Sequence, residues 1–363
     1  MRFVIAAGGT GGHLFPGLAV GEVLIARGHE VMLLISEKEI DTIATQGRSE
    51  FRIEKVAGVG LQSKSPLAAW KFIRAAFTAI AQCKRLFADW RPAAVLGMGG
   101  FTSFAPIYAG KKRGLPTFVH ESNAIPGRAN KWNARLVTRV LLGFEECRVF
   151  FAKSQCEWTG TPIRSALTQP VDKAAALAAF GLSPEKKTLL VMGGSQGAGG
   201  INRLVAAALP QLAGRAVQVI HLAGKADEVA MREAYAKAGI TACVAAFHHT
   251  MQQAYGAADF AIARSGAASL TELSHFGLAS ILIPYPAAAD DHQTSNAQIF
   301  HRAGAGVMMN ESGTTSEQLA ARILEFLDSP DRLAAMAKNC RALAPAAAAE
   351  CVTDTILNFC KTP

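Results

Sequence analysis

The chain has 363 residues, half of them apolar, and a formal net charge of +9. This length and apolar content are enough to bury the cores of two ordinary domains, which excludes a largely disordered protein. The seven cysteines are scattered and never spaced as Cys-x-x-Cys, which argues against a disulfide framework or a zinc site and favours a reducing compartment.

The positive charge is confined to the first half of the chain. Residues 1–163 contain 21 Lys and Arg against 12 Asp and Glu, whereas residues 164–363 contain 16 of each. A basic solvated face, nucleic acid or an anionic membrane surface would each account for the excess. Because no aromatic-rich RNA motif or recognition helix accompanies it, we favour the membrane and expect no nucleic-acid partner. No apolar run reaches the roughly 18 residues of a membrane span, and the first strand follows Met1 directly, so we expect a soluble or peripheral protein without a signal peptide.

Short apolar runs alternate with longer amphipathic segments, which predicts doubly wound parallel α/β sheets. In the first half, helices are predicted to begin near Pro16, Pro66, Phe104 and Pro126, and strands to cover residues 3–7, 31–35, 94–97, 117–120 and 137–142. The order restarts with strands at residues 188–192, 217–222, 260–263 and 280–283.

We therefore predict two domains facing each other across a cleft, residues 1–162 and 163–340. Residues 341–363 are predicted to contain a last helix without catalytic or binding residues. One possible arrangement is that this helix packs back on the first domain. Gly and Pro near Arg164 mark the switch between the halves. Ligands are expected outside the carboxyl ends of the strands.

Two glycine-rich loops follow predicted first strands, at residues 8–12 and 193–198. Glycine lets the backbone approach an anion, and a helix N-terminus offers unpaired N–H groups, so the second loop predicts a diphosphate site. A dinucleotide fingerprint fails in the first loop because Leu14 stands at its sixth position, although Glu37 could mimic the ribose-binding acid. His13 follows this loop, and a neutral imidazole there is either structural or a base for a hydroxyl proton.

Other polar groups follow predicted strands. The loop at residues 97–100 is either a tight turn or a second anion cradle. The segment at residues 120–127 includes Glu121 and Asn123, whose burial without purpose would be costly. In the second half, Glu272 either complements a helix dipole or accepts hydrogen bonds from a ribose diol. No Asp-x-Asp pair occurs, so a leaving diphosphate would be neutralised without a metal, by Ser195, backbone N–H groups, a helix dipole and Arg164.

The helix after Pro66 carries an apolar stripe at spacings of three and four, made of Trp70, Ile73, Phe77 and Ile80. Lys71 and Arg74 fall to other sides of the same helix. The stripe either faces the core or docks on an anionic membrane.

These motifs together resemble the MurG family of peptidoglycan N-acetylglucosaminyltransferases, in glycosyltransferase family 28. The resemblance runs from residue 3 to about residue 300 and rests on the segments 8–13, 16–19, 97–100, 120–123, 193–198, 264–267 and 291–297.

The resemblance implies a GT-B fold and inverting transfer of N-acetylglucosamine from UDP-N-acetylglucosamine to the 4-hydroxyl of undecaprenyl-diphosphate-linked N-acetylmuramyl pentapeptide. It implies no cofactor or metal, peripheral attachment to the cytoplasmic face of the bacterial inner membrane, and contact with other cell-wall synthesis proteins. The membrane face would be Trp70, Lys71, Arg74 and Phe77.

The resemblance also assigns the site residues. His13 is the first choice for the catalytic base and Glu121 the alternative. The loop near the donor sugar and acceptor phosphate would be Thr10, Gly11 and Gly12. Donor contacts would be Asn123, Arg164, Ser195, Gln196, His248, Ala267, Ala268, Ser269, Leu270, Thr271, Glu272 and Gln293, with Glu272 on the ribose and the uracil read by backbone near Phe247 and His248.

The chain departs from the family at residues 247–251. The family commonly shows Phe-Ile-x-Asp-Met, whereas this chain has Phe-His-His-Thr-Met, so the acidic residue is absent. Two other function classes stay open: a UDP-N-acetylglucosamine 2-epimerase, and a nicotinamide-dependent dehydrogenase. The failed fingerprint at Leu14 argues against the dehydrogenase. An epimerase would not explain the basic first half, because a soluble sugar nucleotide as sole substrate needs no membrane face.

Overall fold

The computed structural model describes residues 1–38, 41–42, 45–56, 65–193, 198–343, 345 and 347–360. The chain divides into two compact units, Met1–Ser165 with Pro345–Pro363 and Ala166–Ala344. The division lies close to the predicted boundary after residue 162. The predicted last segment, from residue 341, begins inside the helix Pro330–Ala342.

The strands are β1 (Arg2–Ala6), β2 (Glu30–Ile35), β3 (Arg52–Lys55), β4 (Ala94–Gly97), β5 (Thr117–Glu121), β6 (Arg139–Leu142), β7 (Cys156–Trp158), β8 (Lys187–Met192), β9 (Val217–Leu222), β10 (Ala242–Ala245), β11 (Phe260–Ala263), β12 (Ser280–Leu282) and β13 (Gly306–Met308). The helices are α1 (Gly11–Ala26), α2 (Pro66–Trp90), α3 (Phe104–Lys112), α4 (Arg128–Asn133), α5 (Ser165–Thr168), α6 (Lys173–Ala179), α7 (Gly199–Leu212), α8 (Glu228–Ala238), α9 (Met251–Ala257), α10 (Ala267–Phe276), α11 (His292–Arg302), α12 (Ser316–Asp328), α13 (Pro330–Ala342) and α14 (Ala348–Cys360). Short 3-10 helices cover Phe101–Ser103, Glu145–Phe151 and Ala289–Asp291.

Each unit contains one parallel sheet. The first has the order β3-β2-β1-β4-β5-β6-β7 and the second β10-β9-β8-β11-β12-β13. In both sheets the first strand of the unit pairs with the second and fourth, so the order reverses beside it, which is the doubly wound arrangement. The predicted fold class, two doubly wound α/β domains, is therefore confirmed.

The sequence analysis missed β3, β7, β10 and β13, which are the edge strands of the two sheets. An edge strand is covered less completely than a central one, so its sequence need not be a continuous apolar run. The residues of β3, for example, are Arg-Ile-Glu-Lys. The prediction of buried apolar runs therefore found the centre of each sheet and not its edges.

Helix α1 begins at Gly11, ahead of the predicted start near Pro16, which lies inside the helix. Gly9 has a φ of +101°, a conformation that glycine adopts readily, and this turn sends the chain from β1 directly into the helix. Gly17 then allows α1 to pack on β1, since a Cβ there would lie 2.5 Å from the Ala7 Cβ.

The first sheet is covered on both faces. Phe3 and Ile5 of β1 pack in one cluster with Leu18 of α1 and with Val352 and Ile356 of α14. The alternate β1 residues pack in a second cluster with Cys83 and Phe87 of α2 and Ala105 of α3. The last helix of the chain is therefore part of the core of the first unit.

Candidate active site

In both sheets, loops that carry predicted site residues leave neighbouring strands at the point where the strand order reverses. Ala6 of β1 is paired with Gly97 of β4, and Met192 of β8 with Ala263 of β11. At such a point the chains leave toward opposite faces of the sheet and open a crevice beyond the strand ends.

The loop after β1 is held against the end of β2 by a buried carboxylate. Asp41 Oδ2 accepts hydrogen bonds from the backbone N–H of Gly9, at 2.7 Å, and of Ser36, at 3.1 Å. A Cβ at Gly8 would lie 2.5 Å from Ser36 N, so a larger residue would not fit there. Sequence reasoning considered Glu37 in this region and missed Asp41, since only the folded chain brings Asp41 back onto the loop.

His13 lies in the first turn of α1 and packs against the loop after β4. Its Nδ1 is 3.2 Å from Thr10 Oγ1. A Cβ at Gly99 would lie 2.9 Å from His13 Nε2, and one at Gly100 would lie 3.3 Å from its Cε1. Desolvation of the ring lowers the pKa of His13 to about 4, although the charge of Asp41 acts in the opposite direction. The ring is therefore neutral near pH 7 and able to accept a proton.

Thr10, Gly11 and Gly12 form the start of α1. Thr10 is the N-cap residue, with an extended backbone, and its side chain does not cap the helix but contacts His13. Gly12 is exposed. The first N–H groups of this 16-residue helix, together with its dipole, can bind an anion beside His13.

Glu121, at the end of β5, is buried, and both of its carboxylate oxygens accept hydrogen bonds from the following loop and from α4. Its Oε1 accepts hydrogen bonds from the backbone N–H and the side-chain amide of Asn123, at 2.9 and 3.2 Å. Its Oε2 accepts from Gly127 N at 3.0 Å and from Asn130 Nδ2 at 2.8 Å. Burial raises the pKa of Glu121, and these hydrogen bonds oppose the shift. Glu121 therefore fixes the conformation of the loop that carries Asn123.

His120 is the buried neighbour of Glu121. Its Nε2 is 2.9 Å from the carbonyl oxygen of Gly160, and its Nδ1 is 3.2 Å from Ser122 Oγ. Desolvation lowers the pKa of His120 to about 4. A neutral ring that donates to Gly160 and accepts from Ser122 satisfies both contacts, so His120 has a structural role.

Arg164 belongs to the first unit, although the predicted boundary placed it in the second domain. Its guanidinium lies over the ring of Phe15 of α1, with Cζ 4.1 Å from the ring centroid. The next residue, Ser165, donates a hydrogen bond from Oγ to Glu22 of the same helix at 2.7 Å. These contacts hold Arg164 beside α1.

The predicted diphosphate loop of the second unit is described only at its ends. Gly193 follows β8, and Ala198 is buried at the start of α7. Ser195 and Gln196 lie outside the described residues.

Helix α10 follows β11 and contains the predicted stretch from Ala267 to Glu272. Leu270 is fully buried in the core, and the Thr271 hydroxyl donates to the Ala267 carbonyl at 2.9 Å. Ala268 and Ser269 are partly exposed. Glu272 Oε2 accepts a hydrogen bond from the hydroxyl of Tyr255, at 2.6 Å. Tyr255 is a buried residue of α9 that the sequence analysis missed. It orients Glu272, the residue predicted to bind the ribose.

The segment that departs from the family pattern leads from β10 into α9. His248 Nε2 is 2.8 Å from Thr250 Oγ1, and the His248 ring lies 4.9 Å from the ring of Phe180. Desolvation lowers the pKa of His248. Thr250 is the N-cap residue of α9, although its side chain makes no cap hydrogen bond. Phe247 is 58% exposed.

Gln293, in the first turn of α11, is held by two neighbouring loops. Its side-chain Oε1 accepts a hydrogen bond from Tyr285 N at 2.9 Å, and its backbone carbonyl oxygen accepts one from Ser265 Oγ at 2.8 Å. Asn296 Nδ2 donates to the Ser265 carbonyl at 3.1 Å. The structure thus brings Gln293 close to the loop after β11.

The predicted membrane face is a solvent-exposed surface of α2. Trp70, Ile73 and Phe77 are 56, 52 and 69% exposed. Lys71 is exposed, and the Arg74 guanidinium lies 5.6 Å from the centroid of the Trp70 ring. Ile80, which the sequence analysis grouped with this stripe, is not part of the exposed surface, because it is partly buried and packs against the core cluster that contains Cys83 and Phe87.

Within the part of the chain that the structure describes, no helix has the length and apolar character of a membrane span. In the same described residues, no three His, Cys, Asp or Glu side chains are grouped as metal ligands.

Comparisons with known proteins identify the family of both units. Family models described as the glycosyltransferase family 28 N-terminal and C-terminal domains match residues 3–142 and 188–351. The chain is 38% identical, over 98% of its length and 97% of the relative, to UDP-N-acetylglucosamine--N-acetylmuramyl-(pentapeptide) pyrophosphoryl-undecaprenol N-acetylglucosamine transferase of Geotalea uraniireducens. Its identity to the protein of that name from Methylococcus capsulatus is also 38%, over 98% of both chains.

Solved structures agree with this result. The crystal structure of Acinetobacter baumannii MurG matches with a TM-score of 0.79 and 28% identity, over 99% of this chain and all of that one. UDP-GlcNAc 2-epimerase from Neisseria meningitidis matches with a TM-score of 0.68 over 99% of this chain and all of that one, but at 10% identity, which shows the fold alone.

Proposed function

The chain belongs to glycosyltransferase family 28, and we propose that it transfers N-acetylglucosamine from UDP-N-acetylglucosamine to undecaprenyl-diphosphate-linked N-acetylmuramyl pentapeptide. The acceptor's 4-hydroxyl attacks the anomeric carbon, the C–O bond to the diphosphate breaks, and UDP leaves with inversion to a β-1,4 linkage. The observation that carries the proposal is the full-length similarity to enzymes of that name. The product is an intermediate of peptidoglycan synthesis, on which cell shape and division depend.

We assign the general base to His13. In the tautomer whose Nδ1–H donates to Thr10 Oγ1, the lone pair lies on Nε2, which can take the hydroxyl proton. The neutral ring and its position beyond the end of β1 support this role. The N-terminus of α1, with Gly11 and Gly12, would bind the acceptor's diphosphate.

Glu121, the alternative base, is assigned a positioning role instead. Three donors of its own loop and one of α4 already bond its two oxygens. Taking a proton from a substrate would require breaking part of this set. We propose that Glu121 fixes the loop so that Asn123 can contact the donor.

The donor is assigned to the carboxyl edge of the second sheet. Glu272 would accept hydrogen bonds from the ribose hydroxyls, backbone groups near His248 would read the uracil, and Gln293 would bind the sugar. The α7 N-terminus, with Ser195 and Gln196 of the loop before it, would stabilise the leaving diphosphate, as such termini do for developing negative charge. Arg164 stays a predicted donor contact, as does the stretch from Ala267 to Thr271.

We further propose that the protein docks on the cytoplasmic face of the bacterial inner membrane through α2. The exposed rings of Trp70 and Phe77 would enter the interface, while Lys71 and Arg74 would bind anionic headgroups. This docking would bring the enzyme to an acceptor that is anchored in the lipid bilayer.

One assay tests the activity against its alternatives. The protein is incubated with UDP-N-acetylglucosamine and a short-chain prenyl-diphosphate muramyl acceptor, and release of UDP is measured with and without the acceptor. Acceptor-dependent release of UDP with formation of the disaccharide is expected. Formation of a 2-epimer would support an epimerase instead, and tight binding of NAD would support a dehydrogenase.

A further inference from the structure

An ion pair between a buried arginine and a partly buried glutamate lies at the carboxyl edge of the second sheet and takes no direct part in the proposed transfer. Arg264, directly after β11, is 7% exposed, and its Nη2 lies 2.5 Å from Oε2 of Glu311, which follows β13. Desolvating two charges costs about as much as their attraction returns, so a pair of this kind adds little to stability. Its location indicates a geometric role.

Arg264 connects the pair to the segment that holds Gln293. Its Nη1 donates to the carbonyl oxygens of Ile283 and Pro284, both at 3.1 Å. Its Cζ lies 5.4 Å from the centroid of the Tyr285 ring, and Tyr285 N in turn donates to Gln293 Oε1. A single guanidinium therefore orients the end of β12 and the backbone group that fixes the Gln293 amide.

Glu311 connects the same pair to the first turn of α7. A Cβ at Gly200 would lie 2.0 Å from Glu311 Oε1, so the carboxylate lies directly against the helix backbone there. A negative charge at the N-terminal turn of a helix is electrostatically favourable. Glu311 thus joins the helix that follows the predicted diphosphate loop to the arginine that orients the Gln293 segment.

We propose that Glu311 is a positioning residue for the sugar half of the donor, acting through Arg264 on Gln293. The inference rests on the proposed function, because that function assigns the sugar to Gln293. Without the Glu311 charge, Arg264 loses its partner and the Tyr285 segment loses its orientation. The nucleotide half depends on Glu272, which is held by Tyr255 instead of by this pair.

The test separates binding of the sugar from binding of the nucleotide. In Glu311→Gln, a variant of equal size, the KM for UDP-N-acetylglucosamine is expected to rise about tenfold, the scale of loss from modest misplacement of a binding group. The Kd for UDP alone, measured by calorimetry, is not expected to rise, since the ribose contact is untouched and removing a negative charge beside the α7 N-terminus adds no repulsion to the diphosphate. Glu233→Gln is the matched control, because it removes one exposed carboxylate charge from the same unit.

A double-variant cycle checks the route through Gln293. If Glu311 acts through Gln293, Glu311→Gln adds little to the KM effect of Gln293→Ala, because the group to be positioned is already gone. If the fold-increase in KM of the double variant equals the product of the two single-variant increases, the two residues act independently and the proposal is overturned. Arg264→Lys is the second variant if Glu311→Gln does not fold, since lysine keeps the charge but lacks the planar fork that reaches two carbonyls and a carboxylate. It is expected to show the same difference between KM and Kd.

The outcomes are distinguishable from failure of the proposed function. A wild-type protein that releases no UDP in the presence of acceptor would refute the function itself. Wild-type turnover, together with an unchanged KM in Glu311→Gln or an equal loss of UDP and UDP-N-acetylglucosamine binding, would refute only the positioning role.

Discussion

His13 fills the space that Gly99 leaves open: a Cβ at Gly99 would lie 2.9 Å from His13 Nε2. The first turn of α1 and the loop after β4 thereby meet where the strand order of the first sheet reverses. The sequence analysis treated the loop at residues 97–100 as a turn or an anion cradle. The structure gives its glycines a steric role, which is to admit the imidazole.

Replacing Gly99 tests this relationship. Gly99→Ala is expected to lower kcat at least about tenfold, because displacing a catalytic group by even an ångström is costly. Gly28→Ala is the control, since Gly28 also has a positive φ, +79°, but a Cβ there would meet no atom within 4 Å. Both variants place a side chain at a positive φ, +108° at Gly99 and +79° at Gly28, so equal activities would show that the contact with His13 does not matter.

Removing the imidazole tests the base directly. His13→Ala is expected to lower kcat about 100-fold or more, the usual contribution of general-base catalysis, while the Kd for UDP stays unchanged. His301→Ala, in an exposed part of α11, serves as the control. Full activity of the His13 variant would assign proton removal to Glu121 or to solvent.

The pH dependence of kcat/KM follows from the lowered pKa of His13, about 4. A base acts in its neutral form, so we expect a constant rate from about pH 5 to 8 and a decline only below about pH 5. A decline centred near pH 6.5, the ordinary histidine value, would contradict the enclosure of the ring.

Stability must be measured alongside this profile. His13, His120 and His221 all have pKa values lowered to about 4, so at these three positions the unfolded chain binds more protons than the folded chain between pH 4 and 6.5. Their contribution to stability is therefore lost as the pH falls through that window, while Glu121, whose pKa is raised, acts in the opposite direction. Rates at each pH are taken only where fluorescence shows that the protein is folded.

If Glu272 binds the ribose, changing Glu272 and removing a ribose hydroxyl should weaken UDP binding through the same contact. Glu272→Ala is expected to weaken UDP binding about tenfold or more, because it removes hydrogen bonds to a charged acceptor. Tyr255→Phe is expected to give a smaller loss, since it removes only the hydroxyl that orients Glu272. In calorimetry, 2′-deoxy-UDP should bind the wild type more weakly than UDP does, but the Glu272→Ala variant with nearly the same affinity. A persistent preference for UDP in that variant would place the ribose elsewhere.

The membrane assignment predicts an effect of charge that depends on position. Lys71→Glu with Arg74→Glu is expected to reduce sedimentation with anionic vesicles at least about tenfold, at about 1 kcal/mol for each basic residue near the surface. Lys237→Glu with Lys338→Glu reverses two exposed charges of the second unit and controls for net charge. Unchanged sedimentation of the first pair, or an equal loss in both pairs, would remove α2 from consideration.

The sequence alone determined the central strands, the two doubly wound halves and the positions of the glycine-rich loops. Central strands are buried on both faces, so they are largely apolar and can be recognised without a partner, although β5 and β9 each carry buried polar residues. The family motifs were recognisable for a similar reason, because close backbone approach restricts those positions to glycine.

Only the tertiary structure decided the edge strands, the partners of the site residues and the direction of the α2 stripe. Whether Trp70 and Phe77 face the core or solvent depends on which side of α2 the sheet covers, and periodicity is the same in both cases. Asp41, Tyr255 and Glu311 act on residues distant in sequence, and their hydrogen bonds and ion pairs exist only once separate helices and loops meet. The sequence therefore identified the types of residue at the strand ends. Their contacts depend on the order in which the strands are paired.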